Sequence, residues 1–142
     1  MLHKKESKME FVQAMQEMGN ELVRRYTEKK VDTVRGLSEL EKQVLFVYLF
    51  GMANGLIQEQ FANISPVEVE TGMIAVMMTI FGATFLDAQA FVASILKDVQ
   101  SGNPENTVYA IVHQGLEGYF IWKKEQKEEV IADIKRILEI LT

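Results

Sequence analysis

The chain has 142 residues, of which 48% are hydrophobic and 25% charged, with nine Gly and two Pro. This length and composition are typical of a globular protein, and we interpret residues 1–142 as a single domain rather than a disordered or fibrous sequence. The chain has no Cys and a formal net charge of −5, which excludes disulfides, thiolate metal sites and a cysteine nucleophile and predicts a cytoplasmic protein.

The first helix is predicted over residues 7–30, because apolar side chains recur there every three or four positions. Charged residues fill the opposite side, so this helix is expected to cover the core with one face and meet solvent with the other. The apolar positions are Phe11, Met15, Met18, Leu22 and Tyr26.

A second helix is predicted over residues 38–61. Ser38 and Glu41 have the spacing of a capping box, in which each side chain accepts a hydrogen bond from the backbone amide of the other. Residues 44–50 are apolar without interruption. The second helix should therefore be buried on all sides, at the centre of the protein.

The third and fourth helices are predicted over residues 65–81 and 84–100. Ser65 stands before Pro66 and three positions before Glu68, a pattern that starts a helix and predicts a second capping box. The fourth helix should end at the turn formed by residues 101–104, which contain Gly and Pro.

A fifth helix is predicted from about residue 104 or 106, and a sixth segment over residues 125–141 either continues it or folds back. The apolar face of the fifth helix leaves His113, Gln114 and Glu117 on the other side. No apolar stretch reaches the roughly 20 residues that a membrane-spanning helix needs. The predicted fold class is all-α, a single compact bundle of five to six helices with no membrane partner.

Glycines predict one close contact between helices. Gly51 and Gly55 lie on the second helix, and Gly115 and Gly118 lie on the fifth. Each costs about 1 kcal/mol relative to Ala inside a helix, so the packing that it permits should offset that loss. We therefore predict that the second helix packs directly on the fifth.

Asn54 lies between the two glycines of the second helix. An amide on an otherwise apolar helix needs hydrogen-bond partners, and His113 or Gln114 across the predicted contact could supply them. The sequence favours a structural network as the use of Asn54, and a polar patch facing a partner is the alternative.

Acidic residues are concentrated in the middle of the chain. Residues 44–122 contain seven Asp and Glu but only one cation, Lys97, whereas the segments on either side are nearly balanced. This distribution favours a basic partner and disfavours nucleic acid, because phosphate recognition needs Lys and Arg. Ordinary surface acidity, which promotes solubility, is the alternative interpretation.

The sequence offers no catalytic or metal-binding arrangement. His113 and Glu117 are four residues apart and share a helix face, but a metal site needs further ligands, and the other histidine, His3, lies near the N-terminus. Only one histidine is available as a general base, so the sequence gives no indication of a nucleophile paired with a base. We therefore expect no catalytic residue, no cofactor and no metal, and we predict that the protein is not an enzyme.

Four short segments resemble a bacterial immunity-protein family, the one numbered forty-eight among those of polymorphic toxin systems. They are LSELE (residues 37–41), LFGMANG (49–55), SPVEV (65–69) and AIVHQGLEGY (110–119), so the resemblance covers about residues 37–120 and leaves the two terminal helices outside it. It implies an all-helical immunity protein that binds and inactivates a cognate toxin.

The partner is expected to meet the exposed face of the fifth helix, where the resemblance and the acidic segment coincide. The alternative is a helical adaptor that acts as a homodimer or larger homo-oligomer, since the apolar stripes of the first and last helices could pair between subunits. The predicted partner-binding residues are Asn54, His113, Gln114, Glu117 and Tyr119.

Overall fold

The computed structural model describes residues 2–28 and 36–142, with side chains from residue 10 onward. These residues form six helices and no strand, which confirms the all-α bundle. The helices are α1 (Leu2–Thr27), α2 (Glu39–Gln60), α3 (Pro66–Phe81), α4 (Phe85–Ser101), α5 (Thr107–Lys123) and α6 (Lys127–Leu141).

Helix α1 begins at Leu2, five residues earlier than the periodicity predicts. Its predicted end at residue 30 lies outside the described residues. The predicted apolar stripe is buried, with Phe11, Met15 and Leu22 fully so. This face packs mainly against α3 and also touches α6, so α1 covers one side of the core as its pattern indicates.

Helix α2 has the predicted capping box. The Ser38 Oγ accepts from the Glu41 amide at 3.1 Å, and the Glu41 Oε1 accepts from the Ser38 amide at 2.9 Å. All of residues 44–50 are buried, because other helices surround this segment. The prediction of a central helix is confirmed.

Helices α3 and α4 begin at capped residues and end at left-handed glycines. The Ser65 hydroxyl accepts from the Glu68 amide at 3.2 Å, but the return bond from the Glu68 side chain does not form, so only half of the predicted box is present. Gly82 and Gly102 end the two helices with φ angles of 71° and 65°, a conformation that side chains disfavour.

Helices α5 and α6 are separate, which settles the alternative that the sequence left open. The chain turns through Glu125, whose φ is 65°, and α6 packs back on α5, α2 and α1. The stripes of α1 and α6 therefore join one core within the same chain. That core is continuous and contains buried residues from all six helices.

The tightest packing in the fold is between α2 and α5. A Cβ placed on Gly51 would lie 2.8 Å from the Gly115 Cα and would overlap the Val112 carbonyl oxygen. A Cβ on Gly55 would lie 2.7 Å from the Tyr119 ring. Both distances are below ordinary van der Waals contact, so the glycines allow the two helices to touch, as predicted.

Of the helices that the structure describes, none has both the length and the apolar character that crossing a bilayer requires.

Candidate functional site

The five predicted partner-binding residues occupy different positions around α5. Asn54 and His113 line an open groove between α2, α4 and α5. Glu117 lies next to His113 on the exposed face, while Gln114 is exposed and points toward α6. Tyr119 is buried against Gly55 of α2. The structure thus brings three of the five together at one surface.

We call the cavity beside Asn54 the α2–α5 groove. It has a volume of about 370 Å³ and is open to solvent on one side. Its walls are largely apolar, and its polar groups lie on α2 and α5. The lining residues are Asn54, Ile57, Gln58, Val99, Tyr109, Val112, His113 and Leu116.

His113 is fixed by its neighbours on α5. Its ring is parallel to that of Tyr109, with an interplanar angle of 5° and ring centroids 6.4 Å apart, an offset arrangement that aromatic pairs favour. Its Nε2 lies 3.8 Å from the Glu117 Oε1, and the two side chains are 61% and 70% exposed. Both groups are therefore available to a partner without loss of any core contact.

Among the described residues, no group of three His, Cys, Asp or Glu side chains is arranged to hold a metal ion. The His113–Glu117 pair is best described as an exposed polar contact between adjacent turns of one helix.

The predicted hydrogen bond from Asn54 to His113 or Gln114 is wrong. The Gln114 side chain turns to the other flank of α5, where its Nε2 donates to the Asp133 Oδ1 at 2.9 Å. Asn54 is half-buried in the groove. The structural network that the sequence favours for Asn54 is therefore not formed with Gln114.

Asp133 joins three helices. Besides accepting from Gln114, it accepts from the Tyr48 hydroxyl at 2.9 Å, and Arg136 lies 3.6 Å from it. Burial, reinforced by the Asp133 charge, raises the pKa of Tyr48 above its usual range. The phenol consequently remains a hydrogen-bond donor across neutral pH, and it ties α2 to α6 beside α5.

Tyr119 is 4% exposed and packs on Gly55. Its hydroxyl donates to the Glu59 Oε1 at 2.7 Å, and the Lys123 ammonium pairs with the same carboxylate. Hydrogen bonds from Lys123 and Tyr119 lower the pKa of Glu59 to about 2, while burial and Glu59 raise the pKa of Tyr119 to about 12. This cluster fastens the last turns of α2 and α5 together.

Three residues of the groove and Asp133, on the other flank of α5, were missed by sequence reasoning. Gln58 is one turn after Asn54, and Tyr109 is one turn before His113, so helical spacing alone could have added both. Val99 comes from α4 and Asp133 from α6. Nothing in the sequence pattern indicates that either lies beside α5, because that depends on how distant helices pack.

The family model described as immunity protein 48 matches residues 11–142, and the chain belongs to this family. The match is wider than the resemblance over residues 37–120 and includes α6 and most of α1. No curated protein and no solved structure matches the chain.

Proposed function

We propose that this protein binds and neutralises a cognate bacterial toxin in the cytoplasm of the cell that makes it, and that it does so without catalysis. Membership of the immunity protein 48 family carries the proposal. Inhibition by binding requires a stable scaffold and a complementary surface, and it requires no cofactor or reactive group. A continuous core from six helices supplies the scaffold.

The exposed face of α5, together with the α2–α5 groove, is the surface that we assign to the toxin. Three of the five predicted partner-binding residues, Asn54, His113 and Glu117, meet there. Gln114 and Tyr119 lie outside this surface, since Gln114 bonds Asp133 on α6 and Tyr119 is buried against Gly55. Phe120 adds an apolar group, since it is 39% exposed one turn beyond Glu117. An aromatic side chain beside polar groups is a composition that protein interfaces favour.

The charge of this surface favours a basic toxin surface. Glu117 is 70% exposed, and its Oε1 lies 3.8 Å from the His113 Nε2. Glu59, by contrast, is paired with Lys123 and hydrogen-bonded to Tyr119, so its charge is already used within the fold. Glu117 is therefore the acidic residue best placed to attract a cation across an interface.

Co-expression tests the proposal. A toxin domain encoded immediately beside this gene is expressed from an inducible promoter, with and without the protein, and colony survival is counted. We expect the protein to restore survival and to co-purify with the toxin domain at a fixed ratio. A toxin that kills equally well in both cultures, with the protein shown to be folded and present, would refute neutralisation of that toxin.

A further inference from the structure

We propose that the α2–α5 groove receives the side chain of an arginine on the toxin. The inference deepens the proposed function and depends on it, because it names the chemistry of the toxin group that the surface recognises. It rests on the shape and lining of the groove and on the distribution of charge around it.

The walls of the groove suit the aliphatic part of a long side chain. Ile57, Val112 and Leu116 supply apolar surface from α2 and α5, and Val99 closes the side formed by α4. Long cationic side chains bury their methylene stems on such surface while keeping the charged head near polar groups. A volume of about 370 Å³ leaves room for one large side chain rather than for a helix.

The polar groups of the groove include acceptors suited to a planar donor. Asn54 and Gln58 lie one turn apart on α2 and offer two amide oxygens on the same face. Opposite them, the parallel rings of Tyr109 and His113 on α5 offer flat π surfaces. A guanidinium group stacks on aromatic faces and presents five N–H donors in one plane, which an ammonium group does not.

The electrostatics favour a cation at this position. No lining residue is Lys or Arg, and Glu117 lies beside the His113 imidazole at the rim. Lys97 is the only cation in residues 44–122, and it is two positions from Val99 on α4, so the two side chains do not share a face. Lys123 is engaged by Glu59. A guanidinium bound in the groove would therefore lie near the Glu117 carboxylate at the rim, with no Lys or Arg among the lining residues.

NMR titration of the whole protein tests the inference without the toxin. N-acetyl-arginine methylamide is added, and the side-chain amide signals of Asn54 and Gln58 are followed, with the exposed Gln13 and Asn20 of α1 as internal references. N-acetyl-lysine methylamide and N-acetyl-tryptophan methylamide are added in parallel at the same ionic strength. We expect saturable shifts at Asn54 and Gln58 with the arginine compound, and at least tenfold weaker binding of the other two.

Asn54→Leu keeps the number and branching of the side-chain heavy atoms and removes the amide oxygen, so we expect it to weaken arginine binding at least fivefold while leaving the backbone spectrum otherwise unchanged. Equal responses to arginine and lysine, a stronger response to tryptophan, or no shift at Asn54 and Gln58 would each overturn the inference. Because the titration contains no toxin, such a result leaves the survival assay as a separate test of the proposed function.

Discussion

The Tyr48 hydroxyl occupies the space in which a side chain on Gly118 would begin. A Cβ at Gly118 would overlap that hydroxyl and lie 2.7 Å from the Tyr48 Cζ. The glycine therefore lets a phenol from the central helix pass beside α5 and reach Asp133 on α6. Three helices are joined at this point, immediately beneath the face that we assign to the toxin.

Tyr48→Phe tests how much the hydrogen bond from Tyr48 to Asp133 stabilises the fold. Loss of a hydrogen bond to a charged group should lower the free energy of unfolding by about 1–2 kcal/mol, since Asp133 keeps its contacts with Gln114 and Arg136. Urea denaturation measures the change. Tyr109→Phe is the matched control, because the Tyr109 hydroxyl donates no hydrogen bond to the described residues, and it should be nearly neutral. Equal effects of the two substitutions would show that the Asp133 link contributes nothing.

Gly51→Ala tests the contact between α2 and α5. Although Ala is the better helix former by about 1 kcal/mol, the added methyl would collide with backbone atoms of α5, and we expect a net loss of about 1–3 kcal/mol or more. Gly51→Leu should lower the free energy of unfolding further, because its side chain is larger. Ala132→Gly on the exposed side of α6 is the control, and should lose about 1 kcal/mol through helix propensity alone. A more stable Gly51→Ala protein would contradict the packing described here.

Glu59→Gln should have an effect that depends on pH. The pKa of Glu59 is lowered from its ordinary value of 4.5 to about 2 in the folded protein. Its charge therefore stabilises the fold above the unfolded-state pKa, and this contribution is lost as the pH falls through the folded-state pKa. We expect Glu59→Gln to be destabilising at neutral pH, and the difference from the parent to shrink between about pH 4.5 and 2.

Thermal or urea unfolding at a series of pH values measures this dependence. Glu105→Gln is the control, because Glu105 is an exposed acid of the same segment and its carboxylate forms no ion pair with the described residues. Its effect should be small at every pH. A Glu59→Gln effect that stays constant with pH would mean that the Lys123 and Tyr119 contacts are not electrostatic in origin.

The burial of apolar residues on α1 and α6 leads to an expectation about the oligomeric state. Because α1 and the first half of α6 bury their apolar residues within one chain, little of the two stripes is left to pair between subunits, and we expect a monomer by light scattering. Ile140 remains 78% exposed near the end of α6 and is the best candidate for a residual contact. A stable dimer that Ile140→Lys dissociates would contradict the expectation and favour the homo-oligomeric adaptor.

Much of this fold could be predicted because its signals are local. The Ser38–Glu41 box, the glycine that ends α4 and the apolar run of α2 each depend on residues within a few positions of one another. The α2–α5 contact was predictable because Gly51 and Gly115 are costly in helices unless another helix approaches them closely.

The candidate site was only partly predictable. Periodicity placed His113 and Glu117 on the exposed side of α5, and the structure agrees. It could not show that Gln114 bonds Asp133, because that contact joins residues 19 positions apart across a turn. Periodicity also could not predict whether Tyr119 is buried. A tyrosine on an apolar helix face can belong to the core or to an interface, and the neighbouring helix decides which.

The most direct test of the central claim is the affinity of Glu117→Lys for the toxin domain that the parent protein neutralises. In the parent protein the pair of Glu117 with His113 is exposed and should contribute little to stability, so the variant should fold. Glu17→Lys on α1 makes the same charge reversal at an exposed site of a helix that packs mainly on α3. We expect calorimetry to show at least tenfold weaker binding for Glu117→Lys, about 1.4 kcal/mol, and an unchanged Kd for Glu17→Lys. A folded Glu117→Lys protein that binds and protects like the parent would show that the exposed face of α5 is not the toxin-binding surface.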